Sequence, residues 1–195
     1  MNGYYRLLQD HLKRRSQSVS TLKDLEHSEH PRQSPMRIGV ISDTHIGSID
    51  RLPRGLVDVL GGMDMVLHAG DFTEWPVLDG LRRLGRFAGV YGNLDSFDVR
   101  KELHAVEVVE AGVFKIGLNH PSEGGTPLNL GERIRPKFQD VHVVVYGHSH
   151  EPMNEMKGGV LLFNPGSATG TAPARKKTFG VLHVDKEIRG EIVKL

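Results

Sequence analysis

Four short and almost unbroken apolar runs constrain this chain more than any other feature: Arg37–Ser42 (RIGVIS), Met65–His68 (MVLH), Phe87–Tyr91 (FAGVY) and Val141–Tyr146 (VHVVVY). Each is brief and β-branched, the signature of a strand buried on both faces. Between the first three lie Leu52–Leu60 and Trp75–Leu84, whose apolar residues recur at intervals of three and four, the helical period. Strand, helix, strand, helix, strand implies right-handed crossovers and a sheet with a parallel core.

The second half changes character. Ala105–Ala111, Val113–Leu118, Val160–Phe163, Thr178–Val184 and Glu187–Lys194 read as further strands, with helices expected only at Asp98–Leu103 and near Leu128–Phe138. Two facing sheets with helices outside them is the expected architecture. A chain of 195 residues with 38% hydrophobic composition has enough apolar material for such a core, since folding at this length buries roughly 70% of the unfolded surface. Cysteine is absent, which excludes disulfides and zinc–thiolate sites. A formal charge of +1 and a single Trp, Trp75, give neither the cationic field nor the stacking platform that nucleic-acid binding uses. No run of about 18 apolar residues occurs and Met1–Ser20 lacks the apolar segment of a secretory signal, so no membrane association is expected and the expected location is cytoplasmic.

Residues 1–35 stand apart: they are polar, rich in Ser, Gln and charge, and end in the bracket Pro31 to Pro35. That composition predicts a weakly ordered or loosely docked extension, leaving a domain over residues 36–195.

The residues with chemical potential cluster where the apolar runs end. Asp43-Thr44-His45 follows the first, Gly70-Asp71 the second, Gly92-Asn93-Leu94-Asp95 the third, Asn119-His120 the run Val113–Leu118, and Gly147-His148-Ser149-His150 the run Val141–Tyr146. In an open α/β sheet the carboxyl ends of parallel strands form the rim where ligands bind. Asp43, His45, Asp71, Asn93, His120, His148 and His150 offer carboxylate, amide and imidazole ligands, a set suited to Mn, Fe, Zn, Ni or Co and too nitrogen-rich for Mg or Ca. Seven ligands exceed the need of one tetrahedral ion, and two ions sharing a carboxylate would use them. Extended backbone places residues i and i+2 on one side, about 6.6 Å apart, so Asp43 with His45 is expected to grip one ion. Other histidines read as structural: His68 as a hydrogen-bonded strand end, His142 and His183 as core or sheet-face residues, His104 as solvated. The short basic runs Arg175-Lys176-Lys177 and Arg82, Arg83, Arg86 read as solvated charge.

Taken in order, D-x-H, G-D, G-N-x-D, a later His and G-H-x-H resemble the calcineurin-like metallophosphoesterases, in particular the compact YfcE-like phosphodiesterase branch; the resemblance covers Met36 to Leu195. It implies a four-layer α/β/β/α sandwich of two mixed sheets. It also implies hydrolysis of a small phosphoester by hydroxide activated between two divalent transition-metal ions, Mn foremost. Asp43, His45 and His150 would hold one ion, Asn93, His120 and His148 the other, and Asp71 both; Asp71, Asn93 and Asp95 are the expected catalytic residues, Asp95 as the group that orients a ligand or the loop. Ser167, in Asn164-Pro165-Gly166-Ser167, is the expected substrate-side hydrogen-bond donor. The expected partner is a small-molecule phosphoester, with a homodimer left open. Two departures from the family pattern stand out: Leu94 occupies the place of a His in G-N-H-D, and Asn119-His120-Pro121 replaces Thr-His-Gly. The retromer subunit of the same superfamily sets a second expectation, a non-catalytic metal-binding scaffold for protein–protein interaction.

Overall fold

The computed structural model describes residues 34–121 and 128–195, together with Gly3, Gln9 and Asp10. The expected extension at residues 1–35 therefore lies almost wholly outside the described residues. From Met36 the chain alternates as the apolar periodicity predicts. Strand β1 (Met36–Ile41) leads through a 3-10 turn (Ile49–Arg51) to α1 (Leu56–Gly61). Then come β2 (Met65–His68), α2 (Trp75–Arg82), β3 (Phe87–Gly89) and α3 (Phe97–Glu102). The second half runs β4 (Val106–Ala111), β5 (Phe114–Asn119), α4 (Leu130–Ile134) with a 3-10 turn (Arg135–Lys137), β6 (Val143–Tyr146), β7 (Met153–Lys157), β8 (Val160–Asn164), β9 (Thr178–Val184) and β10 (Ile188–Lys194).

These strands form two five-stranded mixed sheets, ordered β10-β9-β1-β2-β3 and β4-β5-β6-β8-β7. In the first, β1, β2 and β3 are parallel while β9 and β10 run antiparallel; in the second, β5, β6 and β8 are parallel, flanked by antiparallel β4 and β7. Register aligns the carboxyl ends of the parallel strands: Ile41 lies beside His68 and His68 beside Gly89 in one sheet, Asn119 beside Tyr146 in the other. The residues that follow each end therefore start from one rim.

Three apolar clusters mark three interfaces between four layers. Between the sheets, Ile38 and Val40 of β1 and Met65 and Leu67 of β2 meet Ile116, Leu118, Val143 and Val145. The opposite face of β1 and β2, Ile41 and Val66, packs on Leu56, Leu60, Val77, Leu78 and Leu81 of α1 and α2. Val144, Tyr146 and Leu162 turn outward onto Leu130, Ile134 and Phe138. Both faces of the central strands are thus covered, which is why their sequences are continuous apolar runs rather than alternating ones. The α/β/β/α sandwich expected from the resemblance is the fold observed.

Where sequence and structure differ, the reasons are local. The helix expected from Leu52 starts at Leu56, because Pro53 and the left-handed Gly55 (φ 80°) hold the preceding residues in a turn. Strand β7 was not expected: Met153–Lys157 is polar and mostly exposed, as an antiparallel edge strand can be, and its only advance signal is the Gly158-Gly159 turn into β8. His142 is exposed, its Nδ1 accepting the Lys115 N–H, and His183 is half-buried beside Glu191, so neither is a core residue.

Candidate metal centre

At the aligned rim the backbone leaves the extended region abruptly. Asp43 (φ 51°), His45 (46°), Asp71 (59°), His148 (77°) and His150 (58°) are all left-handed, and they make up five of the eight described non-glycine residues with positive φ. That conformation costs an L-residue about 1–3 kcal/mol and persists where the surroundings enforce it, typically at functional sites. Asp43 and His45 are therefore not brought together by extended backbone, as their spacing suggested; left-handed turns aim both inward. Close backbone approach enforces part of this. A Cβ on Gly147 would meet Ser42 Oγ at 2.0 Å and Asp43 Oδ2 at 2.8 Å, and one on Gly92 would meet Asp71 Oδ1 at 2.1 Å.

The loops of the two sheets interlock through their side chains. His150 Nε2 lies 3.2 Å from Asp43 Oδ1 and 3.3 Å from His45 Nε2. Asp71 Oδ2 lies 3.6 Å from His45 Nε2 and 3.4 Å from His120 Nε2, and Asn93 Oδ1 lies 3.1 Å from His148 Nδ1. Two groups, Asp43–His45–His150 and Asp43–Asp71–His120, each place their ligand atoms within 4.8 Å of one another. All seven residues expected as ligands thus gather in one place, and Pro121 does not divert His120, whose side chain is fully buried and packs against Gly70.

The hydrogen bonds around the ligands fix which nitrogen is free. His120 Nδ1–H donates to the Ala69 carbonyl at 2.7 Å and His150 Nδ1–H to the Thr171 carbonyl at 2.8 Å. In the neutral ring each Nε2 then presents its lone pair toward the carboxylates, the arrangement by which metal-binding histidines are oriented. His120 Nε2 is buried, with Asp71 Oδ2 3.4 Å away as its nearest ionic neighbour, a position in which it can meet a proton or a metal ion. With two carboxylates, four imidazoles and an amide, the residues present fit a divalent transition metal.

Protonation follows the same geometry. Burial pushes the Asp71 carboxyl up, but His120, the Leu94 amide and His45 outweigh it and hold the group at about 2. Burial lowers His120 and His150, yet the neighbouring Asp71 and Asp43 carboxylates raise both above the usual histidine value. His45 and His148 move the other way, chiefly because burial disfavours their charged forms.

Asp95 and Ser167 hold the scaffold. The Asp95 carboxylate accepts the amides of Gly92 (2.7 Å), Thr73 (2.7 Å) and Asp71 (3.1 Å), tying the β3 loop to the β2 loop, and burial raises its pKa. Ser167 is fully buried; its hydroxyl donates to the Asp43 carbonyl at 2.7 Å and accepts the amides of Gly170 and Thr171. Its proton is already committed, which corrects its expected place as a donor to substrate: it braces a ligand loop. His68 is buried as expected and acts as a clip. The Gly70 N–H fills its Nδ1, so Nε2–H donates to Thr44 Oγ1, whose hydroxyl turns to the Asp71 carbonyl. Sequence reasoning missed Thr44, Thr169 and Thr171, the hydroxyls lacing these loops together. The run Ser-Ala-Thr-Gly-Thr at 167–171 was the available signal.

A rim of this kind, on a two-sheet sandwich, defines a metallophosphoesterase, and the chain belongs to that class: the calcineurin-like phosphoesterase superfamily domain matches residues 36–187. Among curated relatives, a probable metallophosphoesterase of Methanocaldococcus jannaschii is 37% identical over 138 residues, 69% of this chain and 69% of that protein. A phosphodiesterase of the same archaeon is 30% identical over 174 residues, 81% of this chain and 99% of its own length. Among solved structures, an archaeal phosphodiesterase superposes with a TM-score of 0.63 at 27% identity, covering 81% of this chain and all of that one (100%). Zn2+-complexed Vps29 from Entamoeba histolytica gives 0.60 at 28% identity, covering 82% and 99%. Among the described residues, no helix is long and apolar enough to cross a membrane.

Proposed function

We propose that residues 36–195 form a phosphodiesterase that hydrolyses a small phosphoester with two divalent transition-metal ions, manganese foremost. Asp43, His45 and His150 would hold one ion and Asn93, His120 and His148 the other, with Asp71 shared. The observation that carries this reading is the position of Asp71 Oδ2, 3.6 Å from His45 Nε2 on one side and 3.4 Å from His120 Nε2 on the other. Bound ions would supply Lewis acidity toward the phosphate oxygens and lower the pKa of a water nucleophile.

The chain's own contribution is order and charge. Asp71 stays ionised throughout the physiological range because its pKa lies at about 2. The Ala69 and Thr171 carbonyls hold His120 and His150 in the tautomer that leaves Nε2 open. Asp95 is a positioning residue, clamping the amides that carry Asp71 and Asn93, and Ser167 braces Asp43 from behind.

The likeness to Vps29 supports a second reading, a non-catalytic metal-binding scaffold. The full gathering of seven ligands favours the enzyme. Metal analysis together with turnover of bis(p-nitrophenyl) phosphate, with Mn, Ni, Zn and Mg supplied in turn, separates them. Metal-dependent turnover that Asp71→Asn abolishes is the expected result. Metal binding without turnover of any phosphoester would leave the scaffold.

A further inference from the structure

The helix after the β3 loop fixes one arginine in place and leaves part of its donor set unused. Arg100 lies in α3 and is exposed. Its Nε–H donates to the Asp95 carbonyl at 2.9 Å and an Nη2–H to the Asn93 carbonyl, while the guanidinium lies over the Tyr91 ring, 5.6 Å from its centre. Those two N–H groups form one edge of the planar fork. On the other edge, both Nη1–H groups and the second Nη2–H meet no partner among the described residues. Asp98 and Glu102 stand two positions to either side, a spacing that turns helical residues away from each other. Neither pairs with Arg100, and Glu102 turns to Arg82 instead.

Its place gives this edge a use. Asn93 takes the guanidinium on its carbonyl, while its side-chain oxygen lies 3.1 Å from His148 Nδ1 among the gathered ligands. A fixed cation therefore stands one residue from the metal centre. An exposed arginine is ordinarily mobile, and a ligand that stills it must offset the lost freedom. Here two backbone carbonyls and a ring have already stilled it, and bracing those carbonyls occupies only one edge. The remaining N–H donors suit a terminal phosphate, which is doubly charged and rich in acceptor oxygens. We propose that the free edge of Arg100 receives a second phosphate group, so that the substrate carries a terminal phosphate besides the ester that is hydrolysed. The proposal gives the phosphoesterase reading above a substrate class and rests on that reading.

The test uses the full chain loaded with Mn. Alkyl monophosphates and alkane bisphosphates of matched length are compared as competitive inhibitors of bis(p-nitrophenyl) phosphate turnover. In the best-fitting length the second phosphate should tighten Ki about tenfold, as one charge-assisted hydrogen-bonded contact does. Arg100→Gln should reduce that ratio to the statistical value for a ligand with two equal ends. The ratio separates an anion contact from a brace, because a loosened β3 loop would weaken both inhibitors alike. Lys101→Gln is the control: it removes the same charge from the next position of α3, also exposed, and should leave the ratio unchanged. Equal Ki values in the wild type at every length would overturn the inference alone. So would a ratio that survives Arg100→Gln, or one that Lys101→Gln abolishes as fully. Absence of metal-dependent turnover for every phosphoester would overturn the phosphoesterase reading and the inference with it.

Discussion

The interface between the two sheets and the rim above it are made from the same strands, and they obey opposite rules. Below Ile41 and His68, β1 and β2 bury Ile38, Val40, Met65 and Leu67 in regular extended backbone against Ile116, Leu118, Val143 and Val145. Two or three residues further on, the chain turns left-handed and buries Asp43 and Asp71 beside His120 and His150, which follow β5 and β6. Hydrophobic burial in the first region stabilises the fold, whereas the second concentrates backbone strain and buried charge. The lesson is that the apolar interface holds polar loops in shapes they would not adopt alone.

Substitutions should therefore separate the two regions. The largest effect is expected on the rim: Asp71→Asn should lower kcat/KM at least about 10³-fold, since it removes the carboxylate proposed to be shared and several kcal/mol of charge stabilisation with it, while the metal-free protein stays folded by circular dichroism. Retained turnover without metal would break the distinction. In the interface, Leu67→Ala should cost about 3 kcal/mol of unfolding free energy by denaturant titration, with metal stoichiometry per folded molecule unchanged. Equal loss of metal would show that the two regions are not separable.

Acid sharpens the comparison further. Asp71 has its pKa lowered from 3.8 to about 2 in the folded, metal-free protein. A depressed carboxylate stabilises the fold above its unfolded value, so about 2 kcal/mol is fully present above pH 3.8 and lost as the pH falls through about 2. His120, raised above 6.5, has the opposite sign: its contribution is present below pH 6.5 and fades as the pH rises through its elevated value. Denaturant midpoints measured without metal across this range should show both limbs, and Asp71→Asn should remove the acid one. A flat acid limb in the wild type would contradict the assignment. Ser167→Ala should have the smallest effect, about 1 kcal/mol of stability and a weaker hold on metal, read by competition with a chelator. A normal metal affinity would show that the Asp43 loop needs no brace.

Much of this was legible in the sequence, for a physical reason. Strands buried on both faces must be nearly continuous apolar runs, so β1, β2 and β6 were readable, and so was the ligand chemistry at their ends. Strand β7 was not, because an exposed antiparallel edge needs no apolar pattern. Nor was the left-handed backbone at Asp43 and His148: non-glycine residues adopt it seldom, and contacts with loops distant in sequence, Gly70 and Gly147 for Asp43, hold it there. Ser167 was placed near the site correctly but given a role its burial forbids. The carbonyls of Ala69 and Thr171, which set the histidine tautomers, carry no side-chain signature at all.

The central claim is a pair of ions meeting at Asp71. Anomalous diffraction from a crystal grown with Mn tests it most directly. The account predicts two peaks, one beside His45 and His150 and one beside His120 and His148, with Asp71 reaching both. A single peak, or ions bound away from Asp71, would contradict it.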